Sequence, residues 1–467
     1  MNVRRSLTMI GVVAALHALF FIWYQRPDWF TQWSDQEGYR RLGAVLAETG
    51  KFTRFPDAPR FVPEVLRTPV YPLFVAMVYR LAGTGQMPVA LAQAVVFVLI
   101  CFITYATARH VASPRLAAAA AAATALFSPI PYFGALVMTE VWTTFLFMLS
   151  MWMLFRALDG GRAGTFVALG VLLGVTALSR PVFVLFPIAI AAVILVLFPL
   201  LRAVPRPAAR HVAAALAAFA LTMLPWFTYN YVTLGRFTMS PAGGIGRGLW
   251  EGSWQSTWSG RFQNDLTHLA DEIDDRAELD RRIDVLASRE QLPAAPMREY
   301  VHQWQDIRRI WTEPVDPYER AVARVKADQE YGRVGLDNLR RDSWSHLARR
   351  LARGVFILWA GELPFRYSAI NTLPPLVIRF CWGIQALIAC AALVGLYALA
   401  RDGRRAQALL LASPLVYITA VHFPLLTEAR QSLPAQPVLL ILATLGVGWM
   451  TGHSLALETQ VHERERL

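Results

Sequence analysis

Charge is what this chain has least of: Asp, Glu, Lys and Arg together make up 17% of its 467 residues, where a soluble domain carries roughly a quarter. Lysine is nearly missing, occurring at Lys51 and Lys326 alone. Cysteine is scarce too, and Cys101, Cys381 and Cys390 all lie in apolar runs. That excludes a disulfide framework and leaves them as small core residues. The nine histidines are scattered, with no metal-ligand spacing, and no repeat on the order of 20 to 50 residues is present. Apolar residues, by contrast, reach 55% and the mean hydropathy is +0.38. The composition excludes a disordered chain and makes lipid the solvent that much of the chain must meet.

A net charge of +12 would suggest nucleic acid in a soluble protein. Here the arginines gather at the ends of apolar stretches, which is a pattern of membrane topology, and no nucleic-acid partner is expected. A bilayer-crossing helix needs about 20 apolar residues, because its backbone must satisfy its own hydrogen bonds across hydrocarbon. Such stretches run approximately 7–25, 88–108, 115–133, 138–156, 164–179, 182–201, 211–231, 376–400, 406–424 and 434–452. The first, Ser6 to Tyr24, lacks a small-residue cleavage site and reads as a retained span. Ala117 to Ala123 is an alanine run suited to close helix packing.

The connections carrying Arg109/Arg115, Arg156/Arg162, Arg202/Arg206/Arg210 and Arg401/Arg404/Arg405 fall on the side of Arg4 and Arg5, the cytoplasmic side by the positive-inside rule. The expectation is an all-α polytopic protein of the plasma (inner) membrane with about ten transmembrane helices. Residues 1–231 form a transmembrane module that includes an outer loop, 26–87, with juxtamembrane helices. Residues 232–375 form an outer, mainly helical region, and 376–467 the last transmembrane helices and a short cytoplasmic tail. Residues 346–363 alternate basic and apolar positions as an interfacial helix would.

The outer segments hold the candidates for chemistry. Ser34 followed by Glu37 is a capping box, opening a helix that also carries Asp35 and Tyr39; both acids equally suit a helix N-terminus. Arg67, in Arg67-Thr68-Pro69-Val70-Tyr71-Pro72, can hold an anion or snorkel. Glu140 enters an apolar helix, where an ionisable residue is costly and a functional candidate by default. Arg180 occupies an outer turn, where positive charge is depleted. The run Ser240 to Gly252 is glycine-rich and lets backbone approach closely, and lacks the preceding strand that a nucleotide fingerprint needs. Asp271, Glu272, Asp274 and Asp275 read as a solvated helical face, and Trp250, Trp254 and Trp258, with others at the outer boundary, as interfacial anchors.

Taken with Pro225-Trp226, Asn230 and Glu428-Ala429-Arg430, these motifs resemble one family in order and placement. It is that of the GT-C-fold integral membrane glycosyltransferases that use polyprenyl-phosphate sugars, including protein O-mannosyltransferases and the aminoarabinose transferase that modifies lipid A. Two departures are visible: Tyr229 precedes Asn230 where the family carries arginine, and Gln431 follows Arg430 where an aromatic is common.

The resemblance implies transfer from a polyprenyl-phosphate-linked sugar to a hydroxyl acceptor on the extracytoplasmic face, with inversion. It implies Asp35 as general base and Glu140 as second carboxylate, with Arg67, Tyr71, Arg180, Asn230 and Arg430 binding donor and phosphate, and Glu37, Tyr39 and Glu428 in support. Such a base needs desolvation to raise its pKa toward working pH. No cofactor is certain, and the family leaves room for a divalent metal. Sugar and acceptor are left open. A transporter or flippase would place its ionisable groups nearer the midplane. A lipid-linked oligosaccharide polymerase or ligase would rely on arginine and histidine without the early acidic helix.

Overall fold

The computed structural model describes residues 3–30, 34–204, 207–370 and 372–452, with the main chain alone at 28, 34 and 367. The regular secondary structure of the described residues is helical, apart from an isolated bridge between Gln255 and Trp258. Among the described residues seven helices are long and apolar enough to cross a membrane: Val3–Gln25, Gln86–Ala108, Glu140–Gly160, Pro181–Leu200, Ala209–Leu234, Pro375–Arg401 and Ala429–Met450. The other three expected spans are present as helical passes of lesser length or apolarity. Pro129 and Pro131 split 115–133 into Pro114–Leu126 and Pro129–Gly134, since proline removes a backbone donor. The remaining two are Ala163–Ser179 and Arg405–His422.

Small residues set how closely these helices approach. A Cβ on Gly395 would overlap the carbonyl of Leu442, and one on Gly446 that of Ala391, so the two glycines bring Pro375–Arg401 and Ala429–Met450 into backbone contact. Ala117, Ala120 and Ala121 of the alanine run are buried, as close packing requires.

Successive passes run in opposite directions, so the connections fall at two ends. At one end His110 Nδ1 meets Asp159 Oδ2 at 2.7 Å, and Arg405 Nη1 donates to Leu201 O at 3.0 Å. At the other end the Ser34–Thr49 helix packs Tyr39, Ala44 and Ala47 against Val70–Ala82, with Gly43 close to Val75. The expected cap at Ser34 lies outside the described side chains.

Above that end sit the helices Ile245–Trp254, Gly260–Glu272, Arg276–Glu290, Ala294–Thr312 and Pro317–Arg341, which share a core of their own. Trp250, Trp254 and Trp258 belong to this core instead of anchoring at an interface. Trp250 is fully buried, stacks on Tyr300 at 4.9 Å and donates to Gln303 at 2.7 Å. Trp250 and Trp254 share one side of the Ile245–Trp254 helix and Trp258 follows in the bridged turn, and all three indoles pack on Tyr300 of Ala294–Thr312. Asp271 is likewise engaged, accepting from Trp304 at 2.8 Å and pairing with Arg308 at 3.0 Å. The amphipathic stretch forms the helix Trp344–Ala360, and its buried Arg350 donates to Phe423 O at 2.9 Å.

Candidate active site

A polar cavity of about 440 Å³ opens where the helix ends meet the upper helices. Its membrane-side wall draws single residues from distant parts of the chain: Asp35, Arg67, Glu140, Arg180, Glu428 and Arg430. Each is placed at a helix end or in a connecting segment. Asp35 stands in the first turn of Ser34–Thr49, Glu140 at the first position of its helix, and Arg180 at the C-terminal boundary of Ala163–Ser179, where Pro181 ends the helix. Arg430 lies in the 3-10 turn Ala429–Ala435, which is held by a reciprocal cap between Glu428 and Gln431.

The charges alternate. Arg430 Nη1 is 3.4 Å from Glu140 Oε1 and 3.8 Å from Asp35 Oδ2, and its Nη2 is 3.0 Å from Glu428 Oε2. Arg180 Nη1 reaches the same Glu140 oxygen at 3.8 Å. Arg67 Nη2 is 3.5 Å from Asp35 Oδ1, and the guanidinium lies over the Tyr39 ring at 4.7 Å. Behind Arg67, Glu64 accepts from Arg54 at 2.6 Å and from the Leu66 amide at 2.9 Å. Several buried atoms have no hydrogen-bond partner within the described protein: Nε and Nη1 of Arg67, Nη1 of Arg180 and Oε2 of Glu140. Arg67 Nη1 and Arg180 Nη1 have only the longer ion pairs to Glu64 Oε1 at 3.9 Å and Glu140 Oε1 at 3.8 Å, and buried polar atoms are rarely left short of hydrogen bonds.

The two principal carboxylates differ in setting. Glu140 is almost fully buried, whereas the Asp35 side chain keeps 49% of its exposure. The expected desolvation of Asp35 is therefore not what the structure contains: the first turn of its helix faces the open cavity, and two guanidinium groups flank it. Burial instead acts on Tyr39, whose hydroxyl it pushes above the usual range while Arg67 opposes.

Three residues nominated from sequence lie elsewhere. Tyr71 is fully buried and donates to Gln93 Oε1 at 3.1 Å, edge-on to Tyr39 at 5.0 Å; it backs the wall without lining it. Asn230, also fully buried, donates to Thr238 O at 2.8 Å and so ties down the turn after its helix. Glu37 points away and pairs with Arg40 at 3.2 Å, as the position two residues beyond Asp35 on a helix dictates.

The glycine-rich loop does reach the cavity, through Gly243 and Gly244. Its free amides, however, are taken by the protein itself. The Asp328 carboxylate accepts from Gly246 and Arg247 at 3.3 and 3.2 Å, and a Cβ on Gly246 would overlap the Asp328 carbonyl. Gly246 thus serves close packing between two helices, and Gly252 lets the chain at Leu425 and Leu426 approach. Burial raises the Asp328 carboxyl while these amides oppose the shift.

Sequence reasoning missed two features. Glu362, in the turn after Trp344–Ala360, has its carboxyl pushed up to about 8 by burial, with the Leu363 amide and Arg430 pulling it down and Glu428 and Glu140 pushing it further up. The upper arm of the cavity is lined by Arg247, Trp304, Trp311 and Arg324. No motif announces either, although an acid among apolar residues at 355–363 is a signal of the kind that singled out Glu140. For a metal, the site does not fit: among the described residues no group of three or more His, Cys, Asp or Glu converges, and Asp35, Glu140 and Glu428 each face arginine.

Residues 66–227 match the family model described as dolichyl-phosphate-mannose-protein mannosyltransferase. The archaeal oligosaccharyltransferase AglB from Archaeoglobus fulgidus, solved with an inhibitory peptide and a dolichol-phosphate, aligns with a TM-score of 0.55 at 14% identity, over 96% of this chain and 50% of that one. The chain has the GT-C fold. The same oligosaccharyltransferase solved with Zn and sulfate gives 0.53 at 13% identity, over 95% and 49%. ArnT from Cupriavidus metallidurans gives 0.38 at 17% identity, over 93% and 77%, too low a score to carry weight. No curated protein matches the chain. The chain spans about half the length of the oligosaccharyltransferases. The resemblance read from the motifs is thus shown over the matched stretch, which contains Arg67, Glu140 and Arg180; Asp35, Asn230 and Arg430 lie beyond it.

Proposed function

We propose that this GT-C-fold membrane protein transfers a sugar from a polyprenyl-phosphate donor to a hydroxyl acceptor, with inversion, at the extracytoplasmic face. The observation that carries the proposal is the position of Arg430 between Asp35 and Glu140, with Arg67 and Arg180 completing the same wall. The outward orientation rests on the arginine-bearing short connections at the far end of the bundle.

Asp35 is the most exposed of the three cavity carboxylates, and it serves as general base. The acceptor oxygen attacks the anomeric carbon from the face opposite the phosphate, the bond from that carbon to the phosphate oxygen breaks, and the hydroxyl proton passes to Asp35. Charge moves in step. As Asp35 becomes neutral, Arg67 and Arg430 lose an ionic partner just as the departing phosphate gains a negative charge. Their planar donor sets suit such an oxyanion, and donors already in place stabilise charge developing in the transition state. Glu140 holds Arg180 and Arg430 in position. Tyr39 and Glu428 orient Arg67 and Arg430 from behind. Tyr71, Asn230 and Glu37 take no direct part.

A divalent metal, the finer point of the family resemblance, has no step here, because the three cavity carboxylates are engaged with arginine. The charged groups lie at the bundle's end, not at its midplane, which favours an enzyme over a transporter.

The test is incubation of purified protein with labelled polyprenyl-phosphate sugars and membrane extract. Label should enter an acceptor fraction with inverted anomeric configuration. Retention of configuration would remove the single-displacement chemistry assigned to Asp35.

A further inference from the structure

The upper arm of the cavity differs from its membrane-side wall in one respect. Arg67, Arg180 and Arg430 each face a carboxylate, as does Arg247, whose Nε is 2.9 Å from Glu251 Oε1. Arg324 has none: among the described residues no carboxylate lies within ion-pair distance of it, and its guanidinium sits over the Trp311 ring at 4.3 Å. Burial lowers its pKa, and Arg54, Arg67 and Arg320 act against its charge in the same direction while Glu64 opposes them. The acid that acts on it, Glu64, is already held by Arg54 and the Leu66 amide. The nearby Asp328 is turned to the amides of Gly246 and Arg247.

Stacking on an indole uses the face of a guanidinium and leaves its rim of N–H donors free. Arg247 repeats the arrangement over Trp304 at 5.2 Å, so two arginine-on-tryptophan pairs wall this arm. An unpaired cation among cations, with its donor edge open to a cavity, is a site that an anion would complete. The arm also offers aromatic surface and polar side chains to a hydroxyl-rich ring. It offers no sheet edge, among the described residues, on which an extended peptide would add as a strand.

We infer that the upper arm is an acceptor subsite for an anionic saccharide, with Arg324 holding a carboxylate or phosphate borne by the acceptor sugar. The assignment rests on the transfer reading for the ligand's use, and it makes Arg324 a binding residue distinct from the arginines that face the donor phosphate.

The experiment is titration of the full-length protein in lipid nanodiscs with matched probes: an oligogalacturonide and its methyl ester, glucose 6-phosphate and glucose, an acidic peptide, and undecaprenyl phosphate. At least one charged sugar should bind tenfold or more tighter than its neutral counterpart. Arg324→Gln should abolish that ratio and leave undecaprenyl phosphate binding unchanged, and Arg324→Lys should keep part of the ratio. Equal binding of charged and neutral sugars by the wild type overturns the inference without any variant. So does tighter binding of the acidic peptide than of either charged sugar, or an equal loss of undecaprenyl phosphate binding in Arg324→Gln, which would assign the arm to the donor. The transfer reading fails by a separate result, wild-type undecaprenyl phosphate binding that is absent or indifferent to Arg430→Gln.

Discussion

Arg67 lies across Gly38, its guanidinium filling the space that a Cβ at Gly38 would occupy. Glycine inside the Ser34–Thr49 helix costs about 1 kcal/mol relative to alanine, and nothing in the helix itself explains it. The explanation is the site: one residue in the helix is kept bare so that a distant arginine can reach Asp35 and Tyr39.

Gly38→Ala therefore separates stability from function. The methyl group displaces the end of a flexible side chain, not backbone, so the helix gains propensity while Arg67 leaves Asp35. The melting temperature should be equal or higher and transfer activity should drop at least tenfold. Thermal unfolding and the labelled-sugar assay on the same preparation check this; a fall in stability with activity intact would contradict it.

Glu140 and Asp35 should respond differently to neutralisation. Glu140→Gln removes a buried carboxylate that faces two guanidinium groups, and losing one partner of a buried ion pair costs on the order of 3–5 kcal/mol. Asp35→Asn alters a half-exposed pair, for which the change should stay within about 1 kcal/mol. Chemical or thermal unfolding in detergent should rank the two in that order.

Glu362 gives a pH signature. Its carboxyl, raised to about 8 in the folded protein, holds a proton that the unfolded chain releases nearer the ordinary glutamate value of about 4.3. Between those values the folded state binds more protons, so this group's contribution to stability is present at low pH and is lost as pH rises toward 8. Glu362→Gln should match the wild type below about pH 4 and exceed it in melting temperature increasingly from there to pH 8 and above. Parallel curves at all pH values would contradict the assignment.

Gly246→Ala tests the packing of the upper helices. A methyl group there meets the Asp328 backbone, which cannot move aside as a side chain can, so the Ile245–Trp254 and Pro317–Arg341 helices must separate. Overpacking of this kind costs about 1–3 kcal/mol. Hydrogen exchange should rise in both helices while exchange in the membrane bundle stays unchanged.

The sequence made the fold legible because lipid imposes a length and an apolarity that a window of residues reveals directly, and the order of arginine-bearing turns then gave the alternation of passes. Arg67, Glu140 and Arg180 were legible for a related reason: a charged group at the end of an apolar helix is conspicuous. Asp35, in a polar surface helix, and Glu428 and Arg430 took their roles from the family resemblance. Tyr71 and Asn230 also entered through their motifs, as Glu428 and Arg430 did, and a motif does not say whether a side chain turns to the cavity or into the packing behind it. Trp250, Trp254 and Trp258 were misread because a tryptophan at a boundary looks the same in sequence whether lipid or another helix covers it. Arg324 and Trp311 were invisible, since their pairing depends on how two amphipathic helices cross, and amphipathic spacing fixes only which side of each is buried.

The most direct test of the account is the catalytic constant of Asp35→Asn, measured beside its affinity for undecaprenyl phosphate. A general base contributes about 10²- to 10⁴-fold, so transfer should fall by at least 10²-fold while donor-lipid affinity stays at the wild-type value. Transfer at the wild-type rate in the variant would contradict the role of Asp35 and, with it, the proposed chemistry of the cavity.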